Sequence, residues 1–299
     1  LVATAAFADG ADKPTPEERA TRDYSSWLPT QGDMSIGFSL DPIATFAGNL
    51  FNGNLDNSLE DLAGEPLLLQ QLPVPVVSIM GTYMLTDNLA ARVNIGFGFS
   101  AKRNNYYTID DAAVALNDLS NAKVIDQTRT RLLTGSFALG VEYRVGKKSP
   151  IQGVFGGGLN YACGTASYKY QYGNAITELN QNPSQNSEMP GTTGEIAQYL
   201  PNARLLSTYS DELIHMVGLY GSVGVEWFVA PKIALGANVN IGFYYEINPA
   251  QAYVYEGWNT ITEEVTTHTE LVEPSSHGFH FGTDNIGANL YIAFYFDTK

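Results

Sequence analysis

The chain is poor in cysteine, in histidine and in positive charge. Cys163 is its one cysteine, it has four histidines, and 16 Lys and Arg stand against 31 Asp and Glu, for a net charge of −15. A lone cysteine excludes an intrachain disulfide, and Cys163 is too far from the N-terminus to be a lipidation site. The acidic balance, with no basic run, excludes nucleic acid as a partner, because phosphate backbones are bound through basic patches. No segment reaches the ~18 apolar residues of a membrane-spanning helix. That absence leaves a β-barrel open, because a barrel divides its hydropathy among alternating segments of ~10 residues. There is no internal repeat of 20–50 residues, which removes solenoids and propellers, and no EF-hand-like spacing for Ca²⁺.

What the chain does have is glycine (29 residues), aromatics (18 Tyr and 14 Phe) and period-two alternation. The stretch "KIALGANVNIGFYYEI" sets Ile233, Leu235, Ala237, Val239, Ile241, Phe243 and Tyr245 on one face. Ala234, Gly236, Asn238, Asn240, Gly242, Tyr244 and Glu246 lie on the other, because successive strand side chains point to opposite faces. Seven further segments alternate in the same way: "DMSIGFSL", "VVSIMGTYML", "NLAARVNIGFGFS", "LLTGSFALGVEYR", "IQGVFGGGLNYA", "VGLYGSVGVEWF" and "NIGANLYIAFYF". Three short connections, at 86–88, 146–150 and 230–232, alternate with four long ones, at about 41–72, 102–128, 173–206 and 250–278. Short turns at one end, long loops at the other and an even strand count are the pattern of an outer-membrane barrel.

The charges agree on which face meets lipid. Arg92, Glu142, Arg144, Glu226 and Glu246 all fall on the small, polar lists, and no mid-strand charge falls on an apolar list. A charge on the lipid face costs ~2–4 kcal/mol near the midplane. A water-facing strand surface would carry many Lys and Glu, whereas these lists hold Gly, Ser and Asn, which suit a narrow eight-stranded lumen. The sequence therefore predicts an all-β fold, an eight-stranded antiparallel transmembrane β-barrel with long extracellular loops and short periplasmic turns. Ile233, Leu235, Val239, Ile241 and Phe243 face lipid, and the five charges form a paired network that plugs the lumen. An ion path lined by the same charges is the alternative. Aromatics near the strand ends form interfacial belts, with Tyr83, Tyr143, Trp227, Phe228 and Phe296 at the periplasmic side and Tyr161, Tyr244 and Tyr245 at the outer side.

In strand number, turn pattern and the aromatic terminal strand "NLYIAFYF", the chain resembles the small outer-membrane barrels typified by OmpA and OmpX. "DPIATFAGNLFNGN" is similar to a segment of uncharacterised outer-membrane barrels of the Bacteroidota. The resemblance covers residues 31–299 and implies a Gram-negative outer membrane, with both chain ends in the periplasm. The chain departs from that pattern by adding Asp297, Thr298 and Lys299 after Phe296. At the other end, Ala6-Phe7-Ala8 has the small-x-small form of a signal-peptidase site, so residues 1–8 read as an export-signal remnant. Residues 9–30 read as a polar periplasmic arm with one helical turn near 16–22.

Candidate chemistry is sparse. Two of the histidines, His277 and His280, lie in "EPSSHGFHF" beside Glu273, Ser275 and Ser276. Eight-stranded barrels include lipid A deacylase and palmitoyltransferase families, and a Ser–His–acid set is the chemistry to look for. In an extended segment, however, residues three apart point to opposite faces, and two histidines supply only half a metal site. Neither cofactor nor metal is expected. The apolar stretches "IATFAGNLF" and "PLLLQQLPVP" lie outside the membrane band and offer a partner surface at Ile43, Phe46, Leu50, Phe51, Leu67, Leu68 and Leu69. The expected function is non-enzymatic: a structural or accessory outer-membrane subunit that contacts lipopolysaccharide and another outer-membrane protein. A small porin is the alternative, and lipid A modification comes third.

Overall fold

Alternation of apolar and small residues sets the chain into strands, and closing those strands on one another removes every edge that lipid would leave unpaired. The computed structural model describes residues 23–39, 76–191, 200, 202–210, 212–283 and 289–298. Its strands are β1 (Met34–Ser39), β2 (Val76–Met84), β3 (Leu89–Ile109), β4 (Lys123–Val145), β5 (Ile151–Gln171) and β6 (Arg204–Tyr209). Then follow β7 (Ile214–Ala230), β8 (Ile233–Asn248), β9 (Gln251–Asn259), β10 (Glu264–Glu273), β11 (Ser276–Thr283) and β12 (Asn289–Phe296). Eight of these close an antiparallel ring in the order β1-β2-β3-β4-β5-β7-β8-β12. Pairing of Met34 with both Tyr83 and Phe296 joins the first strand to the last.

The ring is inside-out relative to a soluble fold. On β8, Leu235, Val239, Ile241 and Phe243 are 37–61% exposed, whereas Ala234 and Asn238 between them are at most 7% exposed. The same holds around the ring, with Phe38, Ile95, Phe137, Leu159 and Leu219 all facing outward. Trp227 pairs with Leu235, and Tyr245, ten residues further along β8, pairs with Phe279. Ten residues span ~33 Å along a strand. At a tilt near 40° that is ~25 Å along the axis, the height of a lipid-facing band. The wall is therefore a transmembrane barrel. No helix among the described residues is long and apolar enough to cross a membrane.

Beyond that band the structure departs from the expected loops. Segments 102–128 and 250–278 are largely strand: β3 and β4 pair from Leu89–Tyr143 out to Ile109–Lys123. Likewise β9 pairs β10, and β11 continues that strand's pairing onto β8. Strand β6 joins β5 to β9. The wall on this side thus rises into a six-stranded sheet, β3-β4-β5-β6-β9-β10. Strand β4 has 23 residues, about twice the 9–11 a tilted strand needs to cross a membrane.

Tight turns close the other end. Lys232 occupies the left-handed region (φ 63) in the turn between β7 and β8. It is fixed there by an ion pair from its Nζ to Asp33 Oδ2 and a 3.0 Å bond to the Leu28 carbonyl.

Candidate functional site

The lumen at the short-turn end is filled by charge. Four inward-pointing side chains from β3, β4 and β7 form one chain of ion pairs: Arg92 to Glu142, Glu142 to Arg144 at 3.2 Å, and Arg144 to Glu226 at 2.6 Å. Arg144 grips Glu226 through both terminal nitrogens, at 2.6 and 3.2 Å. The phenols of Tyr291 and Tyr295 donate to the two carboxylate oxygens of Glu226, at 2.8 and 2.9 Å. The remaining Arg92 valences go to Asn94 Oδ1 (3.2 Å) and the Met80 sulfur (2.8 Å). Each guanidinium also lies over a tyrosine ring, Arg92 over Tyr291 at 5.5 Å and Arg144 over Tyr295 at 5.4 Å. Glu142, Arg144 and Glu226 are at most 2% exposed.

Two cations against two anions make the cluster neutral, and its bidentate, hydrogen-bonded geometry is what allows charges to stay buried. Space is made by glycine: a Cβ on Gly236 would lie 2.0 Å from Cζ of Tyr291. The cavity left between Met80, Thr82, Arg92, Glu226 and Tyr291 is about 10 Å³, the lower limit for a single water.

Below the ion pairs the N-terminal arm seals the mouth. A 3-10 turn, Ser25–Trp27, crosses it, with Tyr24 N donating to the Lys148 carbonyl at 3.1 Å and Lys232 N to the Trp27 carbonyl at 3.0 Å. Leu28 packs into a cluster with Met80, Phe228, Ala234 and Tyr295. The placement of Phe228 in the periplasmic aromatic belt is thereby corrected: it is fully buried in the lumen, while Trp227 beside it faces out. Tyr83, Tyr143 and Phe296 also face out. At the other rim, Tyr244 is likewise interior (2% exposed), and Tyr161 faces out, its hydroxyl 2.8 Å from His215 Nδ1.

Of the five charges predicted to share one network, the structure brings four together. Glu246 stands apart near the long-loop end, 2.8 Å from His280 Nε2. Reading 250–278 as a loop hides that partner. His277 does not join the pair; it lies beside Tyr245, ring centroids 6.0 Å apart, since β11 is extended and the two histidines point to opposite faces. Among the described residues no group of three or more metal-ligating side chains occurs. Ile43, Phe46, Leu50, Phe51, Leu67, Leu68 and Leu69 lie outside the described residues, as do Leu1 to Ala8 and the turn expected near 16–22.

The long-loop end holds a second ordered cluster. Asp126, fully buried, accepts from Gly173 N and Asn186 N, both at 2.8 Å. Asn174 bonds the Ile109 and Ser184 carbonyls, which pins segment 172–189 against the β3–β4 hairpin. Burial would raise the Asp111 carboxyl, but donors from Ser184 (2.8 Å) and Asn180 (2.7 Å) outweigh it and hold that carboxyl below its ordinary value. Burial pushes the Tyr172 phenol up; it donates to the Leu205 carbonyl at 2.8 Å, with Arg204 stacked 4.4 Å from its ring.

No protein-family model matches the sequence, and no curated protein matches it. Solved structures of outer membrane proteins are similar over most of their length. Two of them are the outer membrane protein OprG from Pseudomonas aeruginosa (14% identity, 91% of this chain and 99% of that chain, TM-score 0.30) and a major outer membrane protein from Thermus thermophilus (11%, 89% and 99%, TM-score 0.34). Those scores are low, and the ring of paired strands carries the assignment of the fold.

Proposed function

We propose that the chain is a closed, non-enzymatic outer-membrane β-barrel that serves as a structural or accessory subunit. Its short turns and chain ends face the periplasm, and its long-loop sheet faces outward. The observation that carries this reading is the neutral ion-pair plug. It fills the short-turn end of the lumen with paired charge, and the cavity beside Arg92, Glu226 and Tyr291 is about 10 Å³, where a channel would need a continuous water path. The apolar belt and the even ring of strands support an outer-membrane setting. The accessory role is supported by β10, which among the described residues is the edge strand at the end of the raised sheet. It carries the exposed apolar side chains Val265 and Leu271, 43% and 75% exposed, beyond the lipid-facing band, and an open strand edge is a template for another chain.

The test places a photo-crosslinker at Leu271 and, separately, at Val265 on β10 in cells, followed by a detergent pull-down. The reading expects one recurring outer-membrane protein adduct at both positions. Monomer alone at both positions, with the barrel correctly inserted, contradicts the accessory role.

A further inference from the structure

The sequence has no basic run, yet strand register assembles one. Arg103 on β3 pairs directly with Arg129 on β4, and Arg129 pairs directly with Lys169 on β5. Arg131, two residues nearer the barrel, pairs with Ala101. All four sit on the outward face, in phase with Phe97 and Phe99 on β3 and Leu133 on β4, which are 52–62% exposed. Four of the chain's 16 basic residues therefore meet on one outer wall of a strongly acidic protein.

None of the four forms an ion pair among the described residues. Their outward neighbours on these strands are Asn105, Gln127, Ser167 and Gln171, and Arg129 bonds only the amides of Gln127 (2.5 Å) and Gln171 (3.4 Å). Like charges directly opposite one another destabilise a sheet. A row of three cations across three strands is therefore a local cost unless an anion lies across it.

Position says which anion. Counting from Phe99 and Leu133 at the top of the apolar belt, Arg131 is two residues higher and Arg103 and Arg129 four. At ~3.3 Å per residue and ~40° of tilt, these are ~5 and ~10 Å above the hydrocarbon edge. The polar headgroup layer lies within that height, and arginine side chains bend toward it. Guanidinium forks match phosphate oxygens in pairs. We infer that Arg103, Arg129 and Arg131, with Lys169 further out, bind the phosphates of a phosphorylated glycolipid in the leaflet at the long-loop end. The row would hold the raised sheet against the membrane surface.

This rests on the outer-membrane reading, so insertion is scored separately. The full chain, wild type and R103Q/R129Q, is reconstituted in phosphatidylcholine vesicles doped with bisphosphorylated lipid A. Heat-modifiable gel mobility scores insertion, and native mass spectrometry of the extracted barrel scores lipid retention. Each cation is worth about fivefold in affinity at an anionic membrane surface, equivalent to ~1 kcal/mol, so the double variant retains lipid A ~30-fold more weakly. Wild type retains fully dephosphorylated lipid A as poorly as the variant retains the phosphorylated form, and K147Q/K148Q, at the opposite end, binds like wild type. Equal retention by wild type and R103Q/R129Q overturns the proposal, as does equal retention of the dephosphorylated lipid. Displacement by millimolar inorganic phosphate as effective as by lipid A also overturns it, because the site would then be one for free phosphate. A chain that does not insert refutes the outer-membrane reading itself.

Discussion

Replacing Arg144 by methionine removes one of two cations from a buried cluster of four charges. Glu226 then loses both of its guanidinium bonds, at 2.6 and 3.2 Å, and keeps only the hydroxyls of Tyr291 and Tyr295. Glu142 keeps Arg92, so the site carries one uncompensated buried negative charge. Breaking a buried pair from one side costs about 3–5 kcal/mol, against a total stability of roughly 5–15 kcal/mol for a typical domain. Guanidinium unfolding of the reconstituted barrel should show a midpoint lowered by about 1 M. Glu226→Gln alone leaves the opposite excess and costs a comparable amount. R144M/E226Q restores neutrality, with the Gln carbonyl still accepting from a tyrosine, so its cost falls short of the summed single costs by about 2 kcal/mol. Strict additivity of the two, or an R144M midpoint within error of wild type, would refute the claim that these charges are held by one another.

Other consequences follow from the same geometry. Gly236→Ala drives a methyl into the Tyr291 ring, 2.0 Å from Cζ, and overpacking of this kind costs about 1–3 kcal/mol; the same unfolding assay reads it, with loss of heat-modifiable compactness as the extreme. Asp126→Ala leaves the Gly173 and Asn186 amides without their acceptor, so hydrogen exchange should speed at least tenfold across 172–189 while the lumen strands stay protected. The Asp111 carboxyl is held low in the folded chain. Its contribution is therefore present above the ordinary carboxylate range and is lost as pH falls through the lowered value; exchange at Ser184 should rise only below about pH 4, and Asp111→Asn should abolish that pH dependence.

The transmembrane part of the fold is legible because lipid enforces contrast. Ile241 must differ from Asn240 and Leu139 from Gly140, so period two shows in the letters, as do the three turns at 86–88, 146–150 and 230–232. Past the membrane that contrast fades. The outward residues Ala101, Arg103 and Asn105 are no more apolar than the inward Lys102 and Asn104. The continuation of β3 and β4, and of β8 into β9, consequently reads as loop, although the first pairing is unbroken and the second pauses only at 249–250 and 274–275. Charge on the polar lists pointed to Arg92, Glu142, Arg144 and Glu226. Their phenolic partners were also there to be found, since Tyr291 and Tyr295 fall on the polar list of the last strand, where a hydroxyl needs an acceptor. Phe228 follows from the same rule: next to outward Trp227 it has to point inward. The Glu246–His280 pair and the cation row on β3 to β5 depend on register between distant strands, which hydropathy does not encode.

Planar-bilayer recording tests the central claim most directly. The purified barrel, shown to be inserted by its heat-modifiable mobility, should give no resolvable single-channel steps at any voltage that the bilayer itself withstands. Well-defined steps from the wild-type chain would contradict a lumen closed by the Arg92–Glu142–Arg144–Glu226 plug.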